Sequence, residues 1–423
     1  MTLSLMTPPA EVPMSDRVSD SGWGKLFRGL PIGHGLIVAA SLLGCQALAA
    51  STQERAPVLA LMSDGYQPAH AVFRQGFALG EEQVRACGSS PSLVEWRTVG
   101  LDDDPAPLLG SSRSLVIAPF ATELPRFSRL AQDHQINVIL PYQRGASLNQ
   151  LVPLDPQGLL HPLSPSQQSE IDQLAADTLE QGWRRIMVVA DPADRAAEMV
   201  DAYTEAFKQL GGKVETYEKA LVQQVNADDA SAVNQLIQDL AWKRPAAIAL
   251  AADPSSRLAM LLDQAQTDGR LRGASPATPA RIWLMPVIRL DAVPPKPWAQ
   301  LTPDQPAHGP GWSSFAASYQ QRWGQAPDLL AASGFDAARL VALSMLAPAP
   351  VSEEGLRDPI GWLDPDAEVQ PLCEAIALRQ QGQPVRLAGA ASDLALRPGQ
   401  IPSGTATTRL IAPQSGADRD GSL

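Results

Sequence analysis

The chain has 423 residues, of which 45% are hydrophobic and 5% aromatic, and its formal net charge is -12. This length allows two or three domains with sizeable cores, and the composition is that of a soluble globular protein. The negative charge argues against nucleic acid or anionic membrane as the main partner, because a phosphate-binding face needs concentrated Lys and Arg.

The N-terminal region has the pattern of an export signal. Lys25 and Arg28 precede the apolar run Leu36 to Leu43, which is too short to span a bilayer and has the length of a secretory h-region. Residues 1–49 are therefore predicted to be a signal peptide with an N-terminal tail.

Two cleavage sites compete at the end of this region. Ala47-Leu48-Ala49 is a small-x-small site for ordinary signal peptidase, whereas Leu42-Leu43-Gly44-Cys45 resembles a bacterial lipobox. In the second case Cys45 becomes the lipidated first residue. Leu43 stands where a lipobox prefers a small residue, which favours soluble release; a lipid anchor and an uncleaved N-terminal anchor remain alternatives.

Cys87 and Cys373 are the cysteines left after cleavage at Ala49. An oxidising compartment permits a disulfide between them. A single pair of cysteines carries no information about distance, so two buried thiols are the favoured interpretation and the disulfide is the alternative.

Short continuous apolar runs alternate with helical patterns from Pro57 onward. The predicted strands are Val58–Met62, Ser114–Ala118, Ile136–Leu140, Ile186–Ala190, Ala246–Ala252 and Ile282–Met285. The helices between them include Arg195–Leu210, Val233–Trp242 and Ser256–Thr267. Apolar runs without alternation are typical of strands buried on both faces, so the fold class is α/β, with enough strands for two doubly wound lobes.

Proline-rich breaks divide the predicted lobes. The first, Val152–Ser166, is predicted to cross from one lobe to the other. The second is Pro294–Gly311, whose prolines are predicted to exclude helix and central strand. The first lobe is assigned residues 50–160 and 292–386, the second 161–291 and 387–412, and residues 413–423 a disordered tail. Ser333-Gly334-Phe335-Asp336 is predicted to cap the second helix after Trp312.

The loop after Ile186–Ala190 indicates whether the chain binds a nucleotide there. Its sequence DPADRA presents Asp191 and Asp194 where a nucleotide phosphate would need glycines and positive charge. GxGxxG, GxxxxGK[ST], GxSxG, HExxH and CxxC motifs are all missing from the sequence. The sequence therefore predicts a protein that is not an enzyme and holds no cofactor or metal.

Ligand contacts are expected in the loops that follow the strands, because small ligands of doubly wound sheets bind outside the carboxyl ends of the strands. The loops are Ser63–Tyr66, Pro119–Thr122, Pro141–Gln143, Asp191–Asp194 and Asp253–Ser256. Two lobes facing each other would bring these loops together in a cleft.

Three stretches carry a family resemblance. They are Phe73–Glu82 (FRQGFALGEE), Arg184–Val214 with its AFKQLGGKV, and Tyr319–Leu340, which contains a Y-x-x-x-W-G-x-x-P pattern followed by GFDAA. On these residues the chain, over residues 56–411, resembles the type I periplasmic binding proteins, specifically the branched-chain amino-acid-binding subclass of ABC transporter solute receptors.

The resemblance implies two lobes joined by hinge crossovers that close over a ligand. It implies that Thr122 holds an amino acid's carboxylate, that Tyr66 or Tyr142 forms an aromatic wall, and that Asp253 takes the ammonium. Asp194 is also predicted to contact the ligand, because it lies in the loop Asp191–Asp194 that follows a predicted strand. The expected protein is a periplasmic receptor, soluble or lipid-anchored, that passes a small solute such as an amino acid to the membrane permease of an ABC transporter.

A second hypothesis belongs to another functional class. Outer-membrane lipoproteins that activate peptidoglycan synthases use a similar two-lobed domain as a docking scaffold for proteins. A lipidated Cys45 fits that hypothesis, which predicts no response to small molecules.

Overall fold

The computed structural model describes residues 58–414, leaving out positions 92, 111–114, 121, 193–196, 217–219, 272–276, 285–295 and 347–359. Cys45 and the rest of the predicted signal peptide, Asp194, and residues 415–423 of the predicted tail lie outside the described residues. The chain from Arg55 to Leu423 forms one compact unit.

The elements alternate along the chain as the sequence predicts. The strands are β1 (Val58–Ser63), β2 (Val94–Val99), β3 (Leu115–Ile117), β4 (Asn137–Leu140), β5 (Leu160–Pro162), β6 (Arg185–Ala190), β7 (Lys213–Val214), β8 (Val222–Gln224), β9 (Ala247–Ala251), β10 (Ala280–Trp283), β11 (Gln300–His308), β12 (Val369–Gln370), β13 (Arg386–Leu387) and β14 (Thr405–Ile411). The helices are α1 (Gln67–Ala86), α2 (Ala106–Leu109), α3 (Leu124–His134), α4 (Leu151–Leu154), α5 (Gln168–Glu180), α6 (Ala197–Gln209), α7 (Ala230–Lys243), α8 (Arg257–Thr267), α9 (Trp312–Trp323), α10 (Leu329–Ser344) and α11 (Leu372–Gln380).

The first lobe is built on a parallel sheet with the strand order β2-β1-β3-β4-β5. Successive residues of β1 point to opposite faces. Val58 and Ala60 pack in one core with α1 and α10, whereas Leu59 and Leu61 pack in another with α3. Because both faces are covered, β1 is apolar along its length, as the sequence predicts.

The second lobe contains a sheet with the order β14-β11-β10-β9-β6-β7, and β8 also pairs with β6. Only β14 runs antiparallel to its neighbour among these described strands. Ile186 and Val188 of β6 pack with α5 and α6, and Met187 and Val189 pack with α7 and α8. Two doubly wound lobes confirm the predicted fold class.

Glycines let two helices of the first lobe touch through their backbones. A Cβ added to Gly76 on α1 would lie 1.8 Å from the carbonyl oxygen of Ala331 on α10, and one added to Gly334 would lie 2.1 Å from that of Phe73. Real Cβ atoms do not approach so closely, so any larger residue would push the helices apart. The glycine-containing first helix quoted above is therefore a packing requirement.

A buried carboxylate on α10 holds a late segment of the chain. Asp336 is fully buried and accepts hydrogen bonds from the main-chain N–H groups of Ala390 and Ala391, at 2.8 and 2.7 Å. Arg339 pairs with the same carboxylate and donates to the carbonyl oxygen of Ala388 at 2.9 Å. Burial raises the pKa of Asp336, against the opposing effect of these partners. Residues 388–391 are thereby fixed against α10.

Three passages connect the lobes, between β5 and α5, between β11 and α9, and ahead of β14. In the second passage, the N–H of Gly309 donates to the carbonyl oxygen of Ala390 at 3.0 Å. A Cβ added to Gly309 would lie 1.9 Å from the carbonyl oxygen of Ser392. In the first and third passages, Pro165 lies directly against Gly404. The three passages therefore run side by side.

Two predicted lobe boundaries are wrong. Residues 300–308 form β11, which pairs with β10 and β14 and so lies in the second sheet, not in the first lobe. Leu387, Leu394 and Leu396 pack in the same core as Val58 of the first lobe, not in the second. The proline-rich segment resembles a linker in composition, yet it contains a strand.

The prediction that prolines exclude a central strand from Pro294–Gly311 is also wrong, because β11 lies between β10 and β14. Its ladder with β10 consists of Gln300 and Leu301, before Pro303. Beyond that point the pairing is with β14 and has register shifts on both sides of Gln305. Pro303 and Pro306 thus fall at irregular positions, where a missing N–H costs little.

The predicted cap at Ser333–Asp336 is wrong as well. Helix α10 begins at Leu329, and the carboxylate of Asp328 caps it by accepting from the N–H of Ala331 at 2.9 Å. Ser333 and Asp336 are buried within the helix. Their polar groups have tertiary partners, which the sequence pattern does not show.

A disulfide joins Cys87 to Cys373, with their Cα atoms 5.0 Å apart. The prediction of two buried thiols is therefore wrong. The bond ties the residue after α1 to the second residue of α11, and its ends are 286 residues apart in sequence. A covalent link of this kind persists in oxidising compartments.

Every helix among the described residues is too short or too polar to cross a membrane.

Replacing Gly76 by Ala tests the backbone contact. We expect the Gly76→Ala variant to lose about 1 to 3 kcal/mol of unfolding free energy in urea titrations, because the added methyl overpacks α1 against α10. Gly145→Ala is the matched control, since nothing lies within 4 Å of its added Cβ; a change within about 0.5 kcal/mol is expected there. Equal effects of the two substitutions would contradict this account.

Reduction tests the disulfide. We expect reductant to lower the thermal midpoint of the wild-type chain, with a loss of about 3 to 5 kcal/mol, because the bond restricts a very long loop of the unfolded chain. A Cys87→Ser, Cys373→Ser double variant should have the lower midpoint with or without reductant. A wild-type midpoint that does not respond to reductant would rule out the bond.

Candidate functional site

The loops at the carboxyl edge of the first sheet are bound to one another. The hydroxyl of Ser63, at the end of β1, donates to the carbonyl oxygen of Phe120 in the loop after β3. The N–H of Ser63 donates to Nε2 of His70 at 2.8 Å. Ser63 and His70 are both buried, so the hydrogen bond between them is shielded from water.

Aromatic side chains form the first-lobe wall. The ring of Phe120 lies between Tyr66 and Tyr142, with centroid distances of 4.9 and 5.0 Å. Tyr142 also contacts Phe73 at 5.3 Å, and Tyr66 is the partly exposed end of the group, at 36%. The wall therefore presents an apolar surface whose outer member is Tyr66.

The hydroxyl of Tyr142 points into the lobe. Its Oη is buried and has no hydrogen-bond partner among the described residues, and the ring packs on His70 and Phe73 of α1. Burial is the main cause that raises the pKa of Tyr142 above its ordinary value, and the negative charge of Asp328 adds to it. The phenol therefore stays protonated. Tyr142 contributes a supporting ring to the wall.

Thr122 lies beside this wall, but its hydroxyl has a partner in its own loop. It donates to the carbonyl oxygen of Pro119, and the main-chain oxygen of Thr122 accepts from Nε2 of Gln143 at 2.8 Å. Because a hydroxyl has one hydrogen to donate, holding a carboxylate would require this internal bond to break. The neighbouring Glu123, at the N-cap of α3, is exposed and adds negative charge.

The corresponding edge of the second sheet is acidic. Asp253 is exposed, and one of its oxygens accepts from the N–H of Ser255 at 2.8 Å. Ser256 rather than Asp253 caps α8. In the preceding loop Asp228 forms an ion pair with Arg257. This edge thus presents carboxylates, one of them compensated by a cation.

The two lobes meet at these edges. Arg144, in the loop after β4, forms an ion pair with Glu170 of α5, and its carbonyl oxygen accepts from Gln167 N–H at 2.9 Å. Glu170 also accepts from the N–H of Ala307 in β11 at 2.8 Å. A cavity of about 50 Å³ lies here, with Arg144 on one side and Met199 on the other. The loop after β4 in the first lobe and the beginnings of α5 and α6 in the second lobe therefore border a common space.

The structure brings Tyr66, Thr122 and Tyr142 together in the first lobe, and Asp253 lies on the second-lobe edge. Asp194 lies outside the described residues, so its role stays a prediction. Sequence reasoning missed Phe120, although it named the loop that contains it; an aromatic residue directly after a buried strand and a proline was the available signal. It also missed the pair of Arg144 and Glu170, which has no local sequence signal.

Comparison with solved structures identifies the fold. A protein from Rhodospirillum rubrum assigned as a branched-chain amino acid ABC transporter is 17% identical, matches 85% of this chain and 98% of its own, and has a TM-score of 0.57. A branched-chain amino acid ABC transporter periplasmic ligand-binding protein from Burkholderia xenovorans LB400 is 13% identical, matches 86% of this chain and 92% of its own, and has a TM-score of 0.50.

No protein-family model and no curated protein matches the sequence. The structural matches at this low identity show the fold, which is that of the type I periplasmic binding proteins. The fold that the sequence resemblance predicted is therefore confirmed.

The buried His70 gives the site a predicted pH dependence. Burial lowers the pKa of His70 below its ordinary value, and its Nε2 accepts from Ser63 N–H and must be unprotonated to do so. The unfolded chain takes up this proton near the ordinary pKa of about 6.5, so the stabilisation is present above that pH and is lost as the pH falls towards the lowered folded value.

We therefore expect the free energy of unfolding of the wild-type chain to fall between pH 7 and pH 5, and the fall to be smaller in His70→Gln, which keeps an acceptor for Ser63. Exposed His134 supplies the control variant, His134→Gln, which should keep the wild-type slope. Denaturant titrations across this range measure the slopes. Identical slopes for His70→Gln and wild type would refute the prediction.

Proposed function

We propose that this protein is an exported, non-catalytic receptor that binds a small amphipathic solute between its two lobes and presents it to an ABC permease. The observation that carries the proposal is the contact of the loop after β4, at the carboxyl edge of the first sheet, with the beginnings of α5 and α6 in the second lobe. An aromatic wall lies at the first carboxyl edge, and carboxylates lie at the second. Ligands of doubly wound folds bind at such edges. The named function of the Burkholderia protein, ligand binding for transport, supports the proposal.

The chemistry of the two edges narrows the solute class. An apolar group would pack on Tyr66 and Phe120, and an ammonium or another hydrogen-bond donor would face Asp253. An amino acid or a related amine has both features. Lobe closure then follows because a solute held from both sides stabilises the closed arrangement.

Export is the second part of the proposal. The disulfide between Cys87 and Cys373 supports an oxidising location, and the apolar run Leu36–Leu43 supports export. We place the protein in the periplasm, released after Ala49 or anchored through a lipid on Cys45.

A docking scaffold for proteins is the second candidate function, and one observation favours it. The hydroxyl of Thr122 is engaged with Pro119, and Glu123 adds negative charge beside it, so the first lobe lacks a ready site for a solute's carboxylate. A two-lobed domain that has lost this site could keep its fold and bind proteins instead.

Thermal unfolding against a panel of solutes separates the two functions. The chain from residue 50 contains the whole compact unit, and we expect one or more amino acids, amines or related metabolites to raise its midpoint saturably. A solute at a hundred times its dissociation constant stabilises the folded state by about 2.7 kcal/mol. No shift with any solute would reject the receptor and favour the scaffold.

Variants locate the site once a solute is found. Tyr66→Ala and Asp253→Ala should weaken binding about tenfold or more, because each removes a contact that orients the solute. Asp268→Ala, which removes an exposed carboxylate at the far end of α8, is the matched control and should bind as wild type does. Wild-type affinity in both site variants would place the solute elsewhere.

A further inference from the structure

The amino edge of the second sheet gathers positive charge on a protein whose net charge is -12. Arg184 precedes β6 and Arg185 begins it, and Lys213 begins β7. Lys243 is the last residue of α7, and Arg244 follows it. These five residues are called the basic edge. They are separate in sequence, and the sheet brings them together at the end opposite to the solute loops.

Main-chain contacts establish that the basic edge is continuous. Lys213 N–H donates to the carbonyl oxygen of Arg184 at 2.8 Å, and Ala246 N–H donates to that of Arg185 at 2.8 Å. The guanidinium of Arg185 in turn donates to the carbonyl oxygen of Lys243 at 3.1 Å. Adjacent strands therefore place all five cations along one border of the lobe.

The positive charge of the basic edge is only partly neutralised. Glu215 is the carboxylate that these side chains contact, at 2.9 Å from Arg185 and 3.2 Å from Lys213. Arg185 and Lys213 remain 52% and 67% exposed, so their charges still face water. Among the described residues, these ion pairs set one carboxylate against five cations, which leaves a local excess of positive charge.

Two large apolar side chains project from the same border. Trp242, beside Lys243, is 86% exposed, and Leu210, in the turn that leads to Lys213, is 52% exposed. An exposed tryptophan next to cations is a costly arrangement for a surface that meets only water. It is the arrangement found where proteins contact the headgroup region of a membrane.

We propose that the basic edge, with Trp242 and Leu210, docks the second lobe on an anionic lipid surface. Lipid is favoured over an acidic protein, because peripheral membrane contacts combine several cations with a few inserted apolar side chains. The two lysines of the edge point the same way, since lysine is depleted at protein interfaces. The docking goes beyond the proposed solute binding and needs neither a solute nor a lipid anchor.

Vesicle flotation with the chain from residue 50 tests the docking, since any lipid on Cys45 is then absent. We expect binding to vesicles of phosphatidylglycerol and phosphatidylcholine at low salt, little binding to phosphatidylcholine alone, and loss of binding as salt is raised. Lys213→Glu, Arg244→Glu should lower the apparent affinity about tenfold or more, and Trp242→Ala should also lower it.

The control is Arg257→Glu, a charge reversal at the opposite, carboxyl edge of the same sheet, where Arg257 pairs with Asp228. This variant should float as wild type does, and thermal unfolding of each variant should show a folded chain. Equal binding to both vesicle types, or wild-type binding by the double variant, would overturn the proposal. Failure of the wild-type chain to bind either vesicle would also overturn it and would leave an acidic protein as the occupant.

Discussion

The arrangement of the lobes depends on one buried carboxylate. Asp336 has three donor residues in two segments: Arg339 on its own helix, and Ala390 and Ala391, which donate through their main-chain N–H groups. The carbonyl oxygen of Ala390 in turn accepts from the N–H of Gly309. The passage between β11 and α9 is therefore held by the same segment that Asp336 fixes. Loss of one partner from a buried, paired charge typically costs about 3 to 5 kcal/mol. The aromatic wall and the acidic edge are positioned relative to each other only while these passages hold.

The sequence predicted the fold well because burial on both faces leaves a strong local signal. Val58–Met62 and Ile186–Ala190 are apolar at every position since each strand lies between two layers of helices. Helices α7 and α8 were predicted within a few residues for a similar reason, as their apolar faces repeat every three or four residues. These patterns depend on neighbouring residues alone.

Other features depend on residues far apart in the chain, and the sequence could not supply them. The disulfide partner of Cys87 is 286 residues away in sequence. The prolines of β11 are tolerated because its pairing with β14 is irregular around them. The site was predicted in part for the same reason. Its loops follow from strand ends, but the internal bond of Thr122 and the inward hydroxyl of Tyr142 are set by packing.

The disulfide and the contact of α1 with α10 also set an order of assembly. Both join the beginning of the first lobe to segments that follow β6 to β11 of the second lobe, so the first lobe cannot be completed before those strands have been synthesised. Until Gly334 arrives, the apolar face of α1 has no partner, and long-range contacts of this kind form slowly. A chain that folds from its N-terminus therefore leaves the first helix and the thiol of Cys87 without their native partners until residues 331–373 have been made. Strands β6 to β10 of the second lobe follow one another in sequence and can pair earlier.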